Sequence, residues 1–245
     1  MKATLAGRRA LVTGAAGGIG GAIASEFQEQ GATVLGLDIR GDGPVRILHA
    51  DLADTGELDR IAGQALADLG GVDVLVNCAG AFEAEAATGL SWRSYDRTLR
   101  INLHAPVFLM SRLGRWMADH GYGRIVNITS IHGKLSEPLS TAYDVSKAGL
   151  EAATRTFALE LARSGVLVNA IAPGFVRTAM SVVGDVNELE SDWFQSIYIG
   201  HGRLPLGRAA APGEIAAVAA FLASEANSYL TGQTATVDGG LTARF

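Results

Sequence analysis

The sequence predicts an α/β protein built on a doubly wound parallel sheet of about seven strands, with helices on both faces. Three observations carry this. The strand-like apolar runs are short and continuous rather than alternating, as strands buried on both faces require. They are separated in regular succession by helical stretches, which makes each connection a right-handed crossover. Glycine is abundant, 31 of 245 residues, while proline contributes only six, so the surplus belongs to turns and not to a low-complexity linker.

The elements follow in chain order. Ala10–Thr13 is a first strand, ending in a run of glycines that opens a helix over Ile19–Gln30. Thr33–Asp38 and Val45–Ala50 are the next two apolar bursts, followed by a helix over Thr55–Leu69. Val72–Asn77 is a fourth strand, and Ser91–His120 a long helix. Arg124–Thr129 leads to a helix over Thr141–Ser164, and Val166–Ala172 is the sixth strand. Residues 174–211 are long, mixed in polarity and weakly periodic, which suits a substrate lid better than a plain loop. A helix over Pro212–Ser224 and a strand over Gln233–Asp238 close the chain. Length and the lack of a linker predict one domain over 1–245, with Gly70, Gly71, Gly121 and Gly165 at helix-to-strand junctions.

Composition narrows the function. The chain is 48% hydrophobic and 18% charged, enough for a core and too little charge for disorder. The net charge is −5, with no basic cluster to hold nucleic acid. One cysteine, Cys78, excludes an internal disulfide, and the five histidines have no metal-ligand spacing, so no metal site is expected. Lysine occurs only at Lys2, Lys134 and Lys147. Arg8-Arg9 followed by small apolar residues resembles an export signal, but five glycines and Thr13 interrupt the stretch. No run approaches the length of a membrane span; the longest apolar candidate is near Ile215–Ala223. The expectation is a cytoplasmic protein without membrane or nucleic-acid partners.

The first strand runs into Thr13-Gly14-Ala15-Ala16-Gly17-Gly18-Ile19-Gly20. Glycines there let the chain turn sharply and bring backbone N–H groups to a pyrophosphate at a helix N-terminus. Asp38 lies 24 residues after Gly14, at the end of the second strand. A carboxylate in that place hydrogen-bonds ribose hydroxyls and repels a 2′-phosphate, which favours NAD over NADP. Arg40 is the residue that would admit NADP.

Tyr143 and Lys147 stand four apart in TAYDVSKAG at the start of a helix, hence on one face. A lysine charge there favours the phenolate and tunes the tyrosine for general acid–base work. Ser130 ends the fifth strand, where strand ends face the ligand crevice. A Tyr-x-x-x-Lys pair by itself is also what any surface helix can carry.

Taken in order, TGAAGGIG, Asp38, Asp51-Leu52, NCAG at 77–80, Asn102, Ser130, Tyr143-x-x-x-Lys147 and Pro173-Gly174 with Thr178 resemble the short-chain dehydrogenase/reductase family over essentially the whole chain. The resemblance implies a Rossmann-like fold and a Ser–Tyr–Lys–Asn tetrad that exchanges hydride between a nicotinamide and a carbinol carbon. By it, Tyr143 transfers the proton and Ser130 holds the substrate oxygen. Lys147 holds the nicotinamide ribose, and Asn102 anchors a proton-relaying water. It also assigns the cofactor surface: Gly14, Gly18, Ile19 and Gly20 at the pyrophosphate, and Asp51 and Leu52 at the adenine. Asn77, Ala79 and Gly80 fall at its middle, and Pro173, Gly174, Val176 and Thr178 at the nicotinamide end. It implies a homotetramer joined through helices 91–120 and 141–164 and the C-terminal strand. The family's usual Asn-Asn-Ala-Gly is Asn77-Cys78-Ala79-Gly80 here, and Cys78 is expected to be a small buried hydrophobe.

The substrate is less legible. His132 is either a crevice residue suited to a polar substrate or a solvated turn histidine. Glu137 and Glu83 are further polar candidates. Phe175, Met180, Val183, Trp193, Phe194, Tyr198 and His201 of the 174–211 segment either cover the substrate or pack the lid itself. The expected substrate is a small-molecule secondary alcohol or ketone, a polyol, sugar or hydroxyketone first. The alternatives are a 3-oxoacyl-thioester reductase, against which Asp38 and the acidic charge argue, and a non-catalytic NAD-binding scaffold.

Overall fold

The computed structural model describes residues 4–183 and 186–243. Seven parallel strands form one sheet: β1 (Arg9–Thr13), β2 (Thr33–Asp38), β3 (Ile47–His49), β4 (Val74–Asn77), β5 (Gly123–Ile128), β6 (Val166–Pro173) and a last strand, β9 (Thr234–Val237). Their order is β3-β2-β1-β4-β5-β6-β9, every neighbouring pair parallel. The order reverses beside β1, between β2 and β4. Loops leaving the carboxyl ends of β1 and β4 diverge there and leave a crevice.

Helices cover both faces. Helix α1 (Gly18–Glu29) and α7 (Pro212–Ala223) pack on one; α2 (Leu58–Leu69), α4 (Ala105–Asp119) and α5 (Thr141–Leu161) pack on the other. Alternating side chains of each strand serve opposite faces. Val12, Val74 and Val76 join Ile23, Phe27 and Ile215 in one core, while Leu11 and Leu75 join Ile61, Leu109 and Leu113 in the other. That is why the strands read as unbroken apolar runs. Gly165 ends the turn after α5 at φ +76°, where a Cβ would lie 2.4 Å from the Gly121 carbonyl oxygen.

The predicted helix over 91–120 differs in one respect. It is α3 (Trp92–Leu99) and α4 joined through a π turn over Arg100–His104. The extra residue in that turn resets the face on which Asn102 lies, and helical periodicity does not reveal it.

The 174–211 segment is structured. It contains a short antiparallel pair, β7 (Val182–Val183) and β8 (Val186–Asn187), and α6 (Asp192–Phe194) continuing as a π turn over Gln195–Gly200. Leu189, Phe194, Tyr198, Leu204 and Ala209 form a core of their own, separate from those on the sheet. The ends of the predicted domain (1–3 and 244–245), residues 184–185 of the segment, and the Val183 side chain lie outside the described residues.

Candidate active site

A single cleft of about 1530 Å³ runs along the carboxyl ends of the strands. It starts at Asp38, Asp51 and Leu52, passes Gly14, Gly18, Ile19, Gly20, Ala79 and Gly80, and reaches Ser130, Tyr143 and Lys147. Pro173, Gly174, Phe175, Val176, Thr178 and Met180 line its far side.

The glycine turn is shaped by close backbone approach. Gly14 has φ +71°, and a Cβ there would sit 2.9 Å from the Ala79 backbone nitrogen; one on Gly20 would sit 2.2 Å from the Gly14 oxygen. Thr13 Oγ1 accepts from the Cys78 and Ala79 N–H groups (2.9 and 3.0 Å), fastening the ends of β1 and β4 together across the crevice. Helix α1 opens with no side-chain cap and no acid in its first turn, so its N–H groups face the cleft uncompensated. These features fit the pyrophosphate of a dinucleotide. Asp38 is buried at the adenosine end, with Oδ2 accepting from Ala16 N–H (3.0 Å) and Oδ1 from Arg40 N–H (3.0 Å). The Arg40 side chain is more exposed and runs beside Gly17, its Nε 3.5 Å from Asp38 Oδ1.

At the other end, Tyr143 occupies the first turn of α5 and Lys147 the next. Burial pushes the Tyr143 phenol up to about 12, and the nearby Ser130 pulls it down by less. Lys147 is buried (4% exposed), and burial lowers its pKa to about 8. Its Nζ donates to the Ile128 carbonyl oxygen at 2.9 Å and lies 5.4 Å from the Tyr143 ring centroid. The sequence predicts a tyrosine lowered by this lysine; in the chain itself burial raises the phenol, and the ammonium is turned toward the end of β5.

Asn102 is fully buried behind the cleft wall. Its Oδ1 accepts from Ala81 N–H (2.8 Å), and its Nδ2 donates to the Ala81 carbonyl (2.9 Å) and to Ser146 Oγ (3.1 Å). The amide is fully engaged in holding the 79–82 loop beside Lys147, so its side chain is a positioning group rather than a cleft surface. Asn77 also turns from the cleft: its Nδ2 donates to Asn127 Oδ1 (2.8 Å), and Asn127 Nδ2 donates to Thr154 Oγ1 (2.9 Å). The β4 pleat aims the Asn77 side chain toward Asn127 and α5, while Ala79 and Gly80 line the cleft.

His132 lines the cleft. Its Nδ1 is 2.7 Å from Asp144 Oδ1, its Nε2 is 3.7 Å from Glu137 Oε2, and its ring meets the Tyr143 ring edge-on. Phe82 packs against Tyr143 in the same T-shaped way. Sequence reasoning missed Asp144 and Phe82. Asp144 directly follows Tyr143 on the helix, and only the fold of the 130–140 turn brings His132 over it. Leu139, also on the cleft wall, takes φ +70°, a strained conformation for leucine that has no sequence signal. Glu83 and His201 do not line the cleft, whereas Glu137 does. Of the lid residues, Phe175, Phe194 and Tyr198 do both things the sequence allowed: they pack on one another and line the cleft. Met180 and Trp193 line it with large exposed surfaces.

Burial pushes the Cys78 thiol up to about 12, which keeps it protonated. Among the described residues no group of three or more His, Cys, Asp or Glu side chains is placed to hold a metal ion, and no helix is long and apolar enough to cross a membrane.

Residues 14–242 match the sequence profile described as enoyl-(acyl carrier protein) reductase. The chain belongs to the short-chain dehydrogenase/reductase family. Other short-chain dehydrogenases resemble it end to end. Nodulation protein G of Rhizobium meliloti is 37% identical over 97% of this chain and 98% of its own. Galactitol 2-dehydrogenase of Agrobacterium fabrum is 35% identical over 94% and 96%. A solved chain from Beutenbergia cavernae, assigned as an NAD(P)-dependent gluconate 5-dehydrogenase with NADP bound at low occupancy, superposes with a TM-score of 0.90. It is 38% identical over 98% of this chain and 99% of that one. As a short-chain dehydrogenase/reductase, the chain is an oxidoreductase that takes a nicotinamide cofactor and acts on small-molecule alcohols or ketones.

Proposed function

We propose that this chain is an NAD-dependent dehydrogenase of secondary alcohols, with a polyol, sugar or hydroxyketone as substrate. The observation that carries the reading is that Ser130, Tyr143 and Lys147, the last one helical turn after the tyrosine, line the inner end of a cleft that begins in a glycine turn. The nicotinamide, when bound, supplies the hydride chemistry. Ser130 orients the substrate oxygen, and Tyr143 gives that oxygen its proton in reduction or removes it in oxidation. Lys147 holds the nicotinamide ribose, and Asn102 fixes the 79–82 loop against it. A phenol raised to about 12 keeps its proton at neutral pH, so the donor form is fully populated and the phenolate that would accept a proton is scarce until the pH is alkaline. Alcohol oxidation therefore rises as the pH becomes alkaline, while carbonyl reduction proceeds at neutral pH.

The NAD preference rests on Asp38, a buried carboxylate at the adenosine end. NADP is the second reading, favoured by Arg40 over the glycine turn and by the NADP in the Beutenbergia cavernae structure. The matching profile's name raises a reductase of acyl thioesters; the acidic net charge of −5 opposes docking of an acidic carrier. Polyols are favoured by the polar His132–Glu137 side of the cleft and by the likeness to galactitol 2-dehydrogenase. A homotetramer in the cytoplasm completes the proposal. The test is a turnover screen of polyols, sugars, simple alcohols and hydroxyacyl thioesters with NAD and NADP in parallel. Faster turnover with NADP would overturn the cofactor assignment, and a Tyr143→Phe variant that kept its turnover would overturn the mechanism.

A further inference from the structure

Behind Ser130 the cleft opens into a second recess of about 540 Å³. Its walls are the turn after β5 (Ser130, Ile131, Lys134, Leu135), the ends of the last two strands (Ala172, Thr236), and Arg203, Leu241 and Thr242. Ser130, Leu135, Arg203 and Leu241 also line the main cleft, so the two spaces are continuous at the reacting group.

The charge on these walls is one-sided. Arg203 and Lys134 are the charged lining residues, and no carboxylate lines the recess. Among the described residues neither cation has a carboxylate within ion-pair distance; Arg203 lies 5.8 Å over the Tyr198 ring. Arg208, five residues on, shows the alternative, with both guanidinium arms on Glu214 at 2.7 and 2.8 Å. The acids nearby do not line the recess. Asp238 accepts from Gly240 N–H and from the N–H and hydroxyl of Thr242. Glu151, whose charge Lys134 influences, is buried behind Gly133. In the main cleft, His132 and Glu137 offer hydrogen bonds suited to hydroxyl groups.

We propose that this recess is a subsite for an anionic group on the substrate, so that the enzyme takes a polyhydroxylated acid whose carboxylate or phosphate lies away from the reacting carbinol. The proposal rests on the dehydrogenase reading above. A planar guanidinium matches either anion with two parallel N–H donors, Lys134 adds a point charge, and Ser130 and Thr236 add hydroxyls. The hydroxyl-bearing chain of the ligand then lies between the recess and His132, with a carbinol beside Tyr143.

The experiment is calorimetric titration of the protein, with NAD present, by gluconate, glucitol and glucitol 6-phosphate. These share a six-carbon hydroxylated chain and differ in the anion. The wild type is expected to bind at least one anion about tenfold or more tightly than glucitol, the scale of a charge-assisted bidentate contact. The tighter of the two anions tells carboxylate from phosphate. Arg203→Gln is expected to bring that ratio to within about twofold of unity, and Lys134→Met to reduce it by a smaller factor. Arg163→Gln, in the turn before the amino end of β6 and so at the opposite end of the strands, removes the same charge and keeps the ratio. Equal binding of glucitol and both anions, or a preference that survives Arg203→Gln and Lys134→Met, overturns the subsite. Turnover separates this from the parent reading: oxidation of neutral polyols without anion preference sinks only the subsite. Anion binding through Arg203 with no alcohol turned over by NAD or NADP sinks only the dehydrogenase assignment.

Discussion

Lys147→Met should make the protein more stable while removing its turnover. The ammonium is buried (4% exposed), and burial draws its pKa from 10.5 to about 8. That difference corresponds to about 3 kcal/mol by which the folded state disfavours the charged lysine. The single compensation visible in the chain is the 2.9 Å bond to the Ile128 carbonyl, and losing it returns about 1 kcal/mol. A methionine of similar length fills the channel without a charge, so the net gain at pH 7 is about 2 kcal/mol. The sign with pH is fixed by linkage. Below about pH 8 both folded and unfolded chains carry the charge, and the full penalty applies. Between pH 8 and 10.5 the unfolded lysine holds its proton while the folded one releases it, so wild-type stability rises with pH through this window. Urea unfolding of the two proteins without cofactor, at pH 7 and again near pH 9.5, measures it: the gap between them should be widest at pH 7 and shrink at the higher pH. A Lys147→Met protein less stable than wild type at pH 7, or a gap that does not change with pH, would refute the reasoning.

Asn127→Leu should cost about 2–4 kcal/mol, because it strands the Asn77 amide, whose Oδ1 is already without a partner, and breaks the link to Thr154; urea unfolding checks it, and a cost under about 0.5 kcal/mol would count against the ladder. Gly20→Ala should abolish nicotinamide-nucleotide binding by fluorescence titration while circular dichroism still reports a folded chain, since its Cβ would meet the Gly14 carbonyl at 2.2 Å. Cys78 should react with iodoacetamide at pH 7.5 roughly a thousandfold more slowly than an ordinary thiol, its pKa being about 12; rapid alkylation of the folded protein would contradict that.

The sheet was readable because a parallel strand covered on both faces leaves a continuous apolar run, and all seven predicted strands differ from the observed ones by no more than two residues at either end. The most shortened is the edge strand predicted over 45–50, where β3 keeps Ile47–His49 with only one neighbour pairing with it. The glycine turn, Asp38, Ser130, Tyr143 and Lys147 were readable because spacing alone places them at strand ends or on one helix face. What stayed hidden depends on contacts between distant segments. The π turn at Asn102 changes a helix face without changing composition. Asn77 looked like a cleft residue because its neighbours are, and only the pleat of β4 turns it toward Thr154. The tyrosine pKa was read from the lysine's spacing, whereas its burial under Phe82 and His132 is a property of the assembled cleft.

The separate core of the 174–211 segment bears on how such a protein can change over generations. Leu189, Phe194, Tyr198, Leu204 and Ala209 hold one another together without borrowing a side chain from either core of the sheet. Substitutions that reshape this small module are therefore uncoupled, to first order, from the packing that keeps β1, β4 and β5 in register. The proton-transfer apparatus stands on α5 and the end of β5, outside the module. A lineage carrying this architecture is free to drift through substrates while its reaction stays fixed, since the inherited constraint and the adaptable surface occupy different pieces of the chain.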